Sequence, residues 1–311
     1  MKLVIALGGN ALLKRGEPMT AETQRLNVRR AAVTLATLVG DGHQIVVTHG
    51  NGPQVGLIAL QAAAGPPDGA YPLDILGAES EGMIGYLIEQ ELRNLLPNGA
   101  LLATLLTQTR VDAADPALLA PAKPIGPTYD ETTAHRLGAE RGWHIARDGA
   151  AWRRVVASPA PLEILVSPII RMLVDHGVVV ICAGGGGIPV VAQPNGDLVG
   201  IEAVIDKDHA SELLARELAA DMLLLLTDVD AVRFDFGTPR EKRIARAGSA
   251  SLVAELFPPG SMRPKIEAAK RFTTASCKPA AIGRLEDAGD IIRGTTGTRI
   301  EFGNAPVEFW Q

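Results

Sequence analysis

Short apolar runs that stop at glycine constrain this chain more than any other feature. Residues 2–7 (KLVIAL) end at Gly8-Gly9-Asn10, and similar runs recur at 43–48, 101–106, 178–183 and 222–227, with a weaker one near 279–283. A run that is too short for a helix and has no polar alternation is a strand covered on both faces, the signature of a parallel sheet between helical layers. Helical periods fill the gaps. From Thr20, a suitable N-cap, Val28, Ala31, Ala32, Leu35, Leu38 and Val39 recur at helical spacing, and Gly40 supplies a stop. Comparable stripes cover 76–95, 162–176 and 208–219. Alternating strands and helices predict an α/β fold: an open, mainly parallel sheet in a three-layer αβα sandwich with right-handed crossovers.

One stretch interrupts the rhythm. Residues 108–160 are rich in Pro and Gly and hold only a short helical pattern near 130–141. They read as a subdomain inserted into a single domain spanning 1–311, either a plain surface loop or an arm over the site.

Composition narrows the function. Thirty Lys and Arg stand against 35 Asp and Glu, a net charge of −5, with no basic run of the kind that tracks a phosphate backbone, so nucleic acid is not an expected partner. Two cysteines, Cys182 and Cys277, build neither a disulfide framework nor a zinc site and suit a reducing, cytoplasmic compartment. No stretch approaches the roughly 18 consecutive apolar residues of a spanning helix, so no membrane partner is expected.

Chemistry in an open parallel sheet belongs beyond the carboxyl ends of its strands. The loops there are Gly8-Gly9-Asn10, His49-Gly50-Asn51-Gly52-Pro53, the four glycines 184–187, and Asp228-Val229-Asp230. Glycine lets backbone N–H groups approach an anion, and a following helix N-terminus adds partial positive charge, so these loops predict phosphate binding. The chain contains no G-x-x-x-x-G-K-[ST], and Pro53 directly follows the second glycine of a near-miss to the dinucleotide fingerprint. His49 reads as a hydrogen-bonding prop for its loop rather than a catalytic base.

Only eight of the 30 basic residues are lysines, and three of those occupy unusual positions: Lys123 among prolines, Lys207 between Asp206 and Asp208 at a helix start, and Lys265 after Gly260 with Ser261 as a cap. A lysine kept where arginine is the rule marks a point charge that a planar guanidinium does not replace. Glycine loops with lysines predict phosphoryl transfer, in which positioning and charge carry most of the catalysis.

These segments carry a resemblance. The chain resembles the carbamate kinases of the amino acid kinase superfamily through Ala6 to Leu12 (ALGGNAL), Thr48 to Gly56 (THGNGPQVG), Leu76 to Leu92 (LGAESEGMIGYLIEQEL), KPIGP at 123–127, AGGGGIPVV at 183–191, EAVIDKD at 202–208, TDVD at 227–230 and GSMRPK at 260–265. The resemblance implies a sheet of about eight strands, a protruding subdomain at 108–160, and a homodimer. It also implies reversible phosphoryl transfer between ATP and carbamate, giving ADP and carbamoyl phosphate, with Mg²⁺ and in the ATP-forming direction in vivo.

By the same resemblance, Gly8, Gly9 and Asn10 with Gly50, Asn51 and Gly52 would cradle carbamate and the transferred phosphoryl group. Lys207 would bridge the phosphates, oriented by Asp206. Lys265 would hold the nucleotide phosphates, Lys123 would reach in from the protrusion, and Thr227, Asp228 and Met262 would border the nucleotide. Two departures stand out: Arg263 occupies a position that is commonly Gly, and the residues before Lys123 are Ala120-Pro121-Ala122. They leave open a different small anionic acceptor, or a nucleotide-binding regulator that has lost catalysis.

Overall fold

Strand β1 (Lys2–Leu7) shows why the sheet lies between two layers. Leu3, Ile5 and Leu7 belong to one apolar core with Leu35, Leu38, Ile84 and Ile88, while Val4 and Ala6 belong to another with Leu214, Ile266 and Phe272. With both strand faces covered, a continuous apolar run is what burial demands. The computed structural model describes residues 1–13, 16–64, 71–258 and 260–311, except for the side chains at 10, 11 and 63.

Among the described residues the main sheet has ten strands. Its centre is β1 flanked by β2 (Gln44–His49) and β12 (Met222–Thr227), both parallel to it and in register, with Leu7 beside His49 on one side and Leu226 on the other. Beyond β2 lie β9 (Val179–Ile181) and the edge strand β3 (Leu102–Thr104), also parallel. Beyond β12 lie β15 (Ala280–Arg284), β16 (Thr298–Glu301) and β14 (Lys242–Gly248), with the two-residue strands β13 (Arg233–Phe234) and β17 (Glu308–Phe309) at the margin. The β15–β16 and β14–β17 pairs are antiparallel, so the sheet is mixed at that end.

Helices α2 (Ala21–Gly40), α4 (Leu73–Leu95) and α9 (Ala288–Arg293) cover one face, and α6 (Ser167–Asp175), α7 (Lys207–Glu217) and α8 (Met262–Ser276) the other. Thr20 caps α2 as expected, its hydroxyl accepting from Thr23 N at 3.2 Å. The stop is different: Gly40 is still helical, and the chain turns at Gly42, whose φ is +83°.

The stripe at 162–176 also divides. Pro161–Ile164 form strand β8, and the helix begins only at Ser167, where Pro168 suits the first turn. Strand β8 pairs antiparallel with β4 (Gln108–Val111), and β4 joins β10 (Ile188–Ala192) and β11 (Leu198–Gly200) in a second, four-stranded sheet. That sheet has no counterpart in the sequence reading.

Between β4 and β8 the chain builds a third sheet from β5 (Lys123–Tyr129), β7 (Ala151–Val156) and β6 (His144–Asp148), with α5 (Glu131–Arg141) against it. Helix α5 starts at the capping carboxylate of Asp130, which accepts from Thr133 N at 2.9 Å. This sheet touches the main body through α3 (Gly52–Ala63). A Cβ at Gly56 would overlap the backbone of Gly126, whose own φ is +71°, so the two segments meet glycine to glycine. Among the described residues no helix is long and apolar enough to cross a membrane.

Candidate active site

Backbone packed on backbone closes the carboxyl edge of the main sheet. Gly8 N–H donates to Leu226 O at 2.9 Å and Gly50 N–H to Leu7 O at 3.1 Å, which ties the loop after β1 to the end of β12 and the loop after β2 to the end of β1. A Cβ on Gly8 would stand 3.0 Å from Leu226 O, and one on Gly50 only 3.2 Å from Gly9 N and 3.6 Å from Lys207 Cδ. Asn51 then occupies the N-cap position of α3, and Pro53 lies in its first turn.

Above this edge opens a cavity of about 400 Å³. Gly8, Gly9, Gly50, Asn51 and Gly52 of the glycine loops line it together with Thr227, Asp228, Gly260, Ser261, Met262 and Lys265. Asp206, Lys207 and Asp208 at the start of α7 also line it, and Lys123 enters from the third sheet. Every residue that the resemblance assigns to the site and whose side chain is described therefore borders one cavity, whereas of the loop glycines 184–187 it is Gly185 that lines it, and Asp230 does not. The Asn10 side chain lies outside the described part of the structure.

The charges are paired differently from the expectation. Asp206 caps α7, its carboxylate accepting from Asp208 N at 2.9 Å, and its other oxygen pairs with Lys123 rather than with Lys207. Asp208, read in the sequence only as a neighbour of Lys207, takes both remaining lysines, pairing with Lys207 and with Lys265 at 2.9 Å. The geometry is helical: at the capping position Asp206 faces outward to the third sheet, and two residues on Asp208 turns into the body toward α8. Three ammonium groups against two carboxylates leave one net positive charge in this cluster.

Burial acts on all of them. It pushes Lys207 down to about 8, with Lys265 adding to the repulsion and Asp208 opposing it. Burial also disfavours the Lys265 cation, yet Asp208 more than offsets this and holds it above the ordinary lysine value. For Asp208, the penalty of burial is outweighed by the two lysines, which hold the carboxyl far below the usual range. For Asp206, burial and the repulsion of Asp208 oppose ionisation, yet Lys123 and His209 outweigh them and hold the carboxyl below the usual range.

Two findings bear on arginines. Arg153 of β7 lines the cavity, although it is not among the residues expected there from the sequence. Its guanidinium donates to Gly126 O at 2.6 Å and to Asp148 at 3.2 Å. Strand alternation was the available signal, since Arg154, one residue on, turns instead over the Trp143 ring at 4.9 Å. Arg263 does not line the cavity: its guanidinium donates to Phe257 O at 3.2 Å and Glu255 O at 3.0 Å. Ser261 stands at the N-cap of α8, but its side chain makes no capping bond.

His49 is fully buried, with Nδ1 3.2 Å from Gly50 O, and burial holds its imidazole neutral with a pKa of about 4. A proton-accepting role at neutral pH is not built here; a loop prop is.

The family model described as the amino acid kinase family matches residues 1–284. A carbamate kinase from Rhizobium meliloti is 55% identical over 302 residues, covering 96% of this chain and 93% of the relative. One from Haemophilus influenzae is 52% identical, covering 96% of each. Among solved structures, the carbamate kinase from Giardia lamblia bound to AMP-PNP superposes with a TM-score of 0.87 at 41% identity, covering 97% of this chain and 98% of that one.

Proposed function

The chain belongs to the amino acid kinase family and within it to the carbamate kinases, and from that premise we propose that the lysine-lined cavity is where it transfers a phosphoryl group between ATP and carbamate, giving ADP and carbamoyl phosphate. The observation that carries the assignment of the site is the convergence of Lys123, Lys207 and Lys265 on one cavity walled by glycine loops. Relatives of this identity and coverage support carbamate as acceptor over another small anion or a regulatory role.

The chemistry needs little else from the protein. A carbamate oxygen is already anionic, so attack on the γ-phosphoryl group requires alignment and neutralised repulsion rather than a base. Gly9, Asn51 and Gly52, with the N-terminus of α3, present N–H donors on the acceptor side, while Gly8 and Gly50, whose own N–H groups are spent on Leu226 O and Leu7 O, give the close backbone approach that shapes the loops. Lys207 spans the transferred group, and Lys265 meets the nucleotide phosphates beside Met262, Thr227 and Asp228. Lys123 closes the acceptor side from the inserted segment 108–160, which we read as an arm of a single domain. Asp206 and Asp208 hold the lysines extended before substrate arrives, and the lowered Lys207 value rises once phosphate adds negative charge beside it.

Mg²⁺ accompanies the nucleotide in this reading. No group of three or more His, Cys, Asp and Glu side chains among the described residues forms a metal cage, which suits an ion that takes most ligands from phosphate and water. Asp206 and Asp208 are committed to the lysines, so of the three aspartates bordering the cavity Asp228 would be the one to offer it oxygen. When bound, the ion neutralises phosphate charge.

The reading extends to a cytoplasmic homodimer running toward ATP. Supporting the dimer, Tyr86 and Leu106 are exposed beside a groove formed with Ala78, Gly82, Met83 and Thr104 on α4 and the edge strand β3.

The test is ATP formation from ADP and carbamoyl phosphate with Mg²⁺, beside Lys207→Ala. Turnover that the variant loses is the expected result; absence of turnover in the parent, with ADP still bound, overturns the assignment.

A further inference from the structure

The helical segment 76–92 is one of the motifs that mark the family, yet nothing above gives it a chemical task. Two adjacent residues on its buried face supply one. Ser80 and Glu81, both essentially inaccessible to solvent, touch the two glycine loops from beneath.

Ser80 Oγ donates to Gly77 O at 2.7 Å and accepts from Asn51 Nδ2 at 2.8 Å. A hydroxyl has one proton, and this one is committed to the α4 backbone, so Ser80 presents Asn51 with an acceptor only. That selects the amide orientation in which the NH₂ group, not the carbonyl oxygen, faces Ser80. One N–H of Asn51 is used there, and the other remains for an anion in the cavity that Asn51 lines.

Glu81 works from the other side. One carboxylate oxygen accepts from Gly184 N at 2.8 Å and the other from Thr107 N at 3.1 Å. Further bonds, from Ala183 N to Thr107 Oγ1 at 2.8 Å and from Thr109 Oγ1 to Gly186 O at 3.0 Å, fix the turn that follows β9. In that turn Gly185 has φ +66°, and a Cβ there would overlap the amide group of Asn51. Asn51 is thus held between Ser80 and a glycine that Glu81 keeps in place. Burial raises the Glu81 carboxyl to about 7, so this brace is maintained against a desolvation cost that a neutral acceptor would avoid.

We propose that Ser80 and Glu81 are positioning residues for phosphoryl transfer, setting the Asn51 carboxamide so that its free N–H meets the acceptor or its phosphoryl group. This rests on the acceptor-side reading of Asn51, and the experiment separates the two.

Steady-state rates of ATP formation are measured for Ser80→Ala, Glu81→Gln, Asn51→Ala and each pair with Asn51→Ala, with KM for carbamoyl phosphate and for ADP determined separately and Tm recorded. The expected result is a roughly tenfold fall in kcat/KM for carbamoyl phosphate in Ser80→Ala and in Glu81→Gln, with KM for ADP within twofold of the parent. In the Asn51→Ala background the same changes add nothing further, since they act through the missing amide. Full additivity, an equal loss on ADP, or parent-like kinetics beside a damaged Asn51→Ala enzyme overturns the proposal alone. Parent-like kinetics in Asn51→Ala itself overturns the acceptor-side reading and the proposal with it. Should Glu81→Gln fail to fold, Ser80→Ala decides, because it removes one hydroxyl and leaves the glycine turn braced.

Discussion

The floor of the site and the arm above it carry the same charge chemistry on very different supports. The floor stands on β1, β2 and β12, whose apolar side chains are wholly buried, and its loops touch backbone to backbone. The arm is a three-stranded sheet whose burial is confined to a few residues such as Ile125, Ala134, Val155 and Val156, and it meets the body through a small apolar cluster of Ile125 and Val156 with Val55, Ala59, Leu73 and Leu76, a glycine–glycine contact and the Lys123–Asp206 pair. The Lys265 side chain is 10% exposed in its ion pair, against 34% for Lys123. A buried charge cluster is welded into the fold, whereas a half-exposed one is tied chiefly to function.

This contrast breaks most visibly at Asp208. Asp208→Asn leaves Lys207 and Lys265 buried without their carboxylate, and urea unfolding is expected to show a loss of about 3–5 kcal/mol together with loss of activity. Lys123→Ala is expected to cost activity roughly 10²- to 10³-fold, as for one lost charge donor, yet under about 1 kcal/mol of stability. Comparable unfolding losses in the two variants would erase the distinction between floor and arm.

The arm's seat is tested at Gly56. In Gly56→Ala the added methyl meets Gly126, so the arm is lifted and Lys123 moves off the cavity. A fall in kcat of roughly 10- to 100-fold with unchanged ADP affinity is expected; a parent-like kcat means that the arm finds its position without that contact.

The floor's brace has a pH signature. Glu81 has a folded pKa of about 7, raised from 4.5, so its contribution to stability is fully present below pH 4.5 and is lost as pH rises through 7. His49 runs the other way: with a pKa lowered from 6.5 to about 4, its contribution is present above 6.5 and lost as pH falls through 4. Cys182, which also faces Glu81, is pushed well above its ordinary value and stays neutral across this window. Parent stability minus that of Glu81→Gln should therefore decline between pH 5 and 7, whatever His49 does in both. A difference flat across that range means that Glu81 does not titrate there.

The smallest effect is expected at Arg263. Its guanidinium is spent on the Phe257 and Glu255 carbonyls, so Arg263→Gly should leave KM for ADP and kcat within twofold while costing about 1 kcal/mol of helix stability. A larger kinetic change would show that the side chain turns into the cavity when nucleotide binds.

Much of this was legible in the chain. Apolar runs of strand length located the central strands, because a strand covered on both faces admits no polar alternation. Gly8, Gly50 and Gly185 marked the crevice, because close packing at those points leaves little or no room for a Cβ. The second sheet was not legible, since β10 and β11 are short and β4 and β8 find each other only across the whole inserted segment. Arg153 and Glu81 were missed for a related reason: each acquires its role from partners far away in sequence, Arg153 from the cavity it borders and Glu81 from Gly184 and Thr107.

The sequence by itself determined the layered α/β architecture, the glycine-lined edge and the identity of the lysines, because hydrophobic period, backbone freedom and side-chain charge are local properties. Only the tertiary structure decided which aspartate holds which lysine, where Arg263 points, and what stands beneath Asn51. A carboxylate's partner is set by the direction in which its helix position faces and by what packs opposite, and at Asp206 and Asp208 those directions diverge within two residues.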